Sequence, residues 1–234
     1  MALLYKMTYE DDRTGRGCQW GAGIEHTAPG VGPLAGPGWL YAYTHPLLAV
    51  FFNRIHVRFE QPHLWVADGD IGKTDHGIQV ACRRLATVRR IEVPTMTGQQ
   101  CVGLAVLATR EVSAHADWLP WARRWLDDSD TSRGSALRAM KAVWRAAWRQ
   151  PPPEQVPTFR CVPVPSLAMY AEIRAAEAAA WVNDDTPGID REVMAEWAKW
   201  LAAEAAAWAV ECVSDGPDIP LAALAEAAAA RKRV

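Results

Sequence analysis

From Leu167 onward the chain is rich in alanine and punctuated by single large residues, and this stretch restricts the fold more than any other. Alanine has the highest helix propensity but brings little apolar area to a core. Helices of this kind hold together only where sparse large side chains fill the gaps between closely packed backbones. The spacing predicts two Ala-rich helices, over Leu167–Val182 and Asp190–Val213, separated at Asn183-Asp184-Asp185-Thr186-Pro187-Gly188. In the second, Val193, Trp197, Trp200, Leu201 and Trp208 fall on one stripe. They are read as packing residues, although the same stripe also suits a helix laid across a partner. A short last helix is expected from about Pro220 to the basic Arg231-Lys232-Arg233.

Upstream, Pro151-Pro152-Pro153 stops any helix, because proline lacks the amide donor and disfavours helical angles in the residue before it. Residues 151–165 therefore read as a Pro-rich connector. Three helical stretches precede it. Cys101, Leu104, Ala105, Ala108 and Val112 lie on one helical face, and Trp118, Trp121 and Trp125 continue at helical spacing. The third runs from Ser135, as its cap, to Gln150. Met140, Val143, Trp144 and Ala147 form one side of it, and Arg138, Lys141, Arg145 and Arg149 the other.

The first hundred residues read instead as short strands between turns. Leu3–Tyr9, Trp39–Tyr43, Leu64–Ala67 and Ile78–Glu92 are the expected strands, the last broken near Arg83-Arg84. Residues 21–38, crowded with Gly and Pro, read as loop. Thr44 is placed as the cap of a short helix reaching Asn53, with Pro46 in its first turn. The fold class implied is α+β: a small mixed or antiparallel sheet followed by helices. The expected divisions are an α+β domain over 1–112, a helical extension over 113–150, the connector over 151–165 and an Ala/Trp-rich helical segment over 166–234.

A net charge of −2 gives no overall attraction to nucleic acid or to an anionic membrane. The part before Gln150 is net basic and the part after it net acidic. Five cysteines, odd in number, widely spaced and without a CxxC pair, indicate neither a zinc ribbon nor a disulfide framework. Reduced thiols, the lack of a signal-like N-terminus and the lack of a long apolar run imply a soluble cytoplasmic protein.

Local motifs for catalysis are weak. Gly72-Lys73-Thr74 resembles the end of a phosphate-binding loop, but Ala67 stands where its first glycine belongs. Asp68, Asp70, Asp75 and His76 lack calcium-loop spacing and read as a solvated turn between strands. His56 with Glu60 or His63 lacks a third donor for a metal, and His26 has no visible partner. Ser113 and His115, two apart on a helix, would face different ways. No metal site and no cofactor are expected. The basic stripe of Arg138, Lys141, Arg145 and Arg149 is the cleanest charged feature, suited to phosphates, to an acidic protein surface or to this chain's own acidic helices.

Several segments in order resemble a family of phage and prophage proteins that has no established activity. They are Tyr5-Lys6-Met7-Thr8, Gly17-Cys18-Gln19-Trp20, Gly38 to Val50, Leu64-Trp65-Val66 with Gly69, Leu85 to Ile91, and Trp118 to Leu126. The resemblance covers roughly residues 4–150, the tail being similar in composition only. A second similarity is to ADP-ribosyltransferase-like folds. It implies Tyr5, Gly38, Tyr41 and Tyr43 around a nicotinamide pocket, with Glu92 as the carboxylate polarising the ribose. The expectation adopted is a phage-type accessory protein that binds a host protein or protein–nucleic-acid complex, as a counter-defence, anti-CRISPR-like inhibitor would, with Arg138, Lys141, Arg145 and Arg149 as the contact residues. Direct nucleic-acid contact is the lesser option. The alternatives are an NAD-dependent ADP-ribosyltransferase-like enzyme and a structural protein that self-associates through its helices.

Overall fold

The computed structural model describes residues 2–34, 36–149, 166–183, 190–213 and 218–231, the side chain of Arg16 excepted. The expected connector over 151–165 lies outside them. The strands are β1 (Ala2–Thr8), β2 (Glu25–Thr27), β3 (Leu40–Ala42), β4 (His63–Thr74) and β5 (Val80–Ile91). The helices are α1 (Pro46–Phe52), α2 (Gly98–Arg110), α3 (Trp118–Leu126), α4 (Arg133–Arg149), α5 (Leu167–Val182), α6 (Arg191–Glu211) and α7 (Leu221–Ala229). The fold is α+β, with every strand pairing antiparallel. The chain forms two compact units, Met1–Met96 with Asp218–Ala230, and Thr97–Pro217 with Arg231–Val234. The division therefore falls at Met96, not at 112, and α7 joins the first unit.

In the first unit β4 and β5 form a long hairpin. β1 lies along the outer edge of β4, and β2 and β3 pair with successive parts of β5. Tyr43, one residue past β3, exchanges backbone hydrogen bonds of 2.8 and 2.9 Å with Tyr5 of β1, so the sheet curls until β3 meets β1. Leu4, Trp20, Ala42, Ala67, Val80, Cys82 and Leu85 fill the core this creates.

Several local expectations are corrected here. β5 runs through Arg83-Arg84 without a break. Asp70 faces Arg84 and Ile71 faces Cys82, so Arg83 is left over as a bulge that bends the strand. Asp68 and Asp70 lie within β4, not in a turn. The strand continues there because Gly69 admits Leu4 and Leu85, and Gly72 admits the Trp39 ring. The turn is confined to Asp75–Gln79, with His76 and Gly77 at positive φ. α1 is capped by His45 rather than Thr44: its Nδ1 accepts from the Leu47 amide at 3.3 Å. His26 does have partners, since its Nε2 lies 2.7 Å from the Gln19 carbonyl oxygen and its ring meets Trp20 edge-on.

The second unit is helical. Thr97 and Gln100 form a reciprocal capping box that starts α2. Cys101, Leu104, Ala105 and Ala108 are buried as their spacing implies, while Val112 falls beyond the helix end. Trp118, Trp121 and Trp125 are buried together on α3. α4 begins at Arg133, two residues before the expected cap. The Ser132 hydroxyl accepts from the Ser135 amide at 3.3 Å, and Ser135 itself is buried in the first turn. Ser166 and Asp190 cap α5 and α6. α5 packs against α2, α4 and α6 through fully buried alanines such as Ala175, Ala176, Ala179, Ala202 and Ala206. The stripe on α6 divides. Leu201 is buried and Trp208 stacks on Tyr170, whereas Val193 and Trp197 face solvent.

Candidate functional site

The basic stripe is built by the way α4 packs. Ala136, Ala139, Val143 and Ala147 are the small residues that bury one side of the helix. The opposite side is thereby turned outward, and Arg138, Lys141, Arg145 and Arg149 are all exposed. At about 100° per residue these four positions project within an arc of about 80°, and Trp148 lies about 20° beyond its Lys141 edge. Trp148 is 59% exposed. Trp144, on the flank, is half-buried. No carboxylate occurs anywhere on α4. The stripe from Arg138 to Arg149 is roughly 16 Å long at the helical rise.

Among the described residues none of the four cations has an ion-pair partner. The paired carboxylates of the C-terminal helices find their cations elsewhere. Arg174 binds Glu177 at 2.8 Å and Glu204 at 3.2 Å, and Lys199 binds Glu196 at 2.7 Å. At one end the stripe meets a recess of about 200 Å³ between α3 and α4, lined by Asp117, Trp121, Arg124, Ser135, Arg138, Ala139 and Ala142. Arg124 thus adds a second guanidinium to the Arg138 end, itself 3.9 Å from Asp130. Sequence spacing alone could have placed Trp148, three residues past Arg145, on the stripe. Arg124 could not have been found that way, because its position depends on how α3 crosses α4.

Of the residues expected around a nicotinamide pocket, Glu92 stands apart from the tyrosines: Tyr5, Tyr43 and, two residues back on the strand, Tyr41 share one face of the sheet. Tyr5 and Tyr43 are joined through their backbones, and the Tyr43 hydroxyl lies 2.9 Å from His56 Nδ1 in the interior, where burial raises its pKa. The Tyr41 hydroxyl donates to the carbonyls of Leu34 and Gly36. Tyr41 pairs with Ala81 at the start of β5, whereas exposed Glu92 follows its last residue. Roughly 36 Å of strand separates the two at ~3.3 Å per residue. Gly38 is held against the carbonyl of Val31, where an added Cβ would lie 2.1 Å from the oxygen.

The other motifs hold structure. Gly72 seats the Trp39 ring, and Lys73 donates to the Gly32 carbonyl at 2.9 Å. Asp68 and Glu25 both pair with Arg84. Asp12, at φ 61°, accepts from Trp65 Nε1 at 3.0 Å and lies 2.7 Å from His63 Nδ1, tying the loop after β1 to the start of β4. Ser113 and His115 lie beyond the end of α2 in a loop, not on a helix as expected. The Ser113 hydroxyl donates to buried Glu172 at 2.6 Å, while Glu172 Oε2 and His115 Nδ1 are buried without a hydrogen-bond partner. No group of three or more His, Cys, Asp or Glu among the described residues could hold a metal ion.

No known protein family, curated protein or solved structure matches this chain. Among the described residues no helix is long and apolar enough to cross a membrane.

Proposed function

We propose that this is a phage-type accessory protein that binds a host macromolecule through the basic face of α4. The observation that carries the reading is four exposed cations, Arg138, Lys141, Arg145 and Arg149, on a helix without a carboxylate and without described counter-ions. Like charges held side by side on a rigid helix repel one another, and an anionic partner relieves that repulsion. Such a face also raises the local concentration of anionic surfaces and speeds encounter with them. The sequence resemblance to phage proteins supports a host setting, and a counter-defence inhibitor is one role of this kind.

The test is a tagged pull-down from bacterial lysate with the wild type and with Arg138→Glu/Arg145→Glu/Arg149→Glu. A stoichiometric partner should co-elute with the wild type, be released as salt is raised, and be lost from the variant. Capture of every partner unchanged by charge reversal would remove α4 as the binding face.

A further inference from the structure

We infer that α4 contacts single-stranded nucleic acid directly, with Trp148 as a stacking platform for one base and the flanking cations on the phosphates. This rests on the reading of α4 as a binding face and names the chemistry of what it binds. Of the twelve tryptophans, only Trp148 and Trp197 are exposed, and only Trp148 stands among cations. The others lie buried or half-buried, which is what an aromatic side chain ordinarily does in a folded chain. An indole held in water between Arg145 and Arg149 leaves a large apolar face without cover.

Two kinds of anionic partner could use this face, and the composition of the stripe separates them. The centre of a protein–protein interface uses tryptophan and arginine but is depleted in lysine and in runs of charge. Here a single aromatic sits in a row of cations. That composition matches a nucleic-acid strand, which offers repeated phosphates and an aromatic base at each step. An indole can stack on a base only where that base is unpaired, so the strand is single. Arg138 and Arg124 at the recess extend the cationic track beyond the helix. Duplex DNA would engage the phosphate contacts but leave Trp148 unused.

Fluorescence anisotropy with labelled oligothymidylate, oligouridylate, a mixed-sequence DNA duplex and polyglutamate distinguishes these partners. Four proteins are needed: wild type, Trp148→Ala, Trp148→Phe and the Arg138→Glu/Arg145→Glu/Arg149→Glu variant. Single strands should bind most tightly, and Trp148→Ala should weaken them roughly ten-fold or more. Trp148→Phe should retain most of the affinity, and the charge-reversed variant should lose it. Equal binding of polyglutamate or duplex, no effect of Trp148→Ala, or binding of polyglutamate or duplex without any single strand overturns the inference but leaves α4 as a face that binds an anionic partner. If the charge-reversed variant binds every probe as the wild type does, the inference and the functional reading fall together.

Discussion

The Lys6 ammonium donates to the Tyr41 carbonyl at 2.7 Å and lies 5.1 Å from the centre of the Trp20 ring, inside the curled sheet. Burial lowers its pKa from 10.5 to about 8, while Cys18 and Cys82 oppose that shift. Between pH 8 and 10.5 this amine therefore holds more proton in the unfolded chain than in the folded one, and its contribution to stability rises with pH. The Cys82 thiol, raised to about 11, acts in the opposite sense above pH 9. Comparison with Lys6→Met isolates the amine. In urea unfolding, the wild type should gain on the variant by on the order of 2 kcal/mol between pH 8 and 10.

Glu172 is only 2% exposed, and its carboxyl is pushed above the usual range, chiefly by burial. A carboxyl whose pKa rises on folding costs stability as pH climbs from the unfolded value through the folded one. Glu172→Gln keeps the acceptor for Ser113 and removes the charge. It should stabilise the protein by about 1–3 kcal/mol at pH 7, with the advantage vanishing below pH 4 in thermal melts.

Gly72 packs so tightly under Trp39 that a Cβ would lie 2.3 Å from the ring. Gly72→Ala must displace the indole, and the expected cost is about 1–3 kcal/mol. Near-UV circular dichroism, which reports the setting of aromatic rings, should change along with the melting temperature.

Charge reversal at Arg138, Arg145 and Arg149 should leave the fold intact. These side chains are exposed and lack described ion-pair partners, so their replacement should alter stability by less than about 1 kcal/mol. A large fall in melting temperature would show instead that they take part in holding the helical unit together.

Helices were the more legible part of this sequence, because their signals are short-range. Leu167–Val182 matches the expected limits, and Ser166 and Asp190 cap through amides two or three residues away. β2 escaped notice because its three residues lie in a Gly/Pro-rich loop and become a strand only by pairing with Arg84–Ala86 of β5. The bulge at Arg83 read as a break for a related reason: its register is set by β4. The allotment of α7 was not legible either, since its alanines read like those of α5 and α6. Of the candidate site, the four cations came from spacing alone. The recess joining Arg138 to Arg124 depends on helix crossing, which spacing does not encode.

The packing of α7 on α1 has a consequence for the order in which this protein matures on the ribosome. Leu221, Ala225 and Ala228 are buried, and His45 Nε2 reaches Glu226 at 3.2 Å, so the sheet unit is completed by residues far along the chain. During synthesis, β1 to β5 emerge first, yet α1 waits for its neighbour while the whole of α2 to α6 is translated. The helical unit acquires nearly all its partners in that interval. A chain ending before residue 218 therefore carries all of α2 to α6 yet leaves bare the face of α1 that α7 covers.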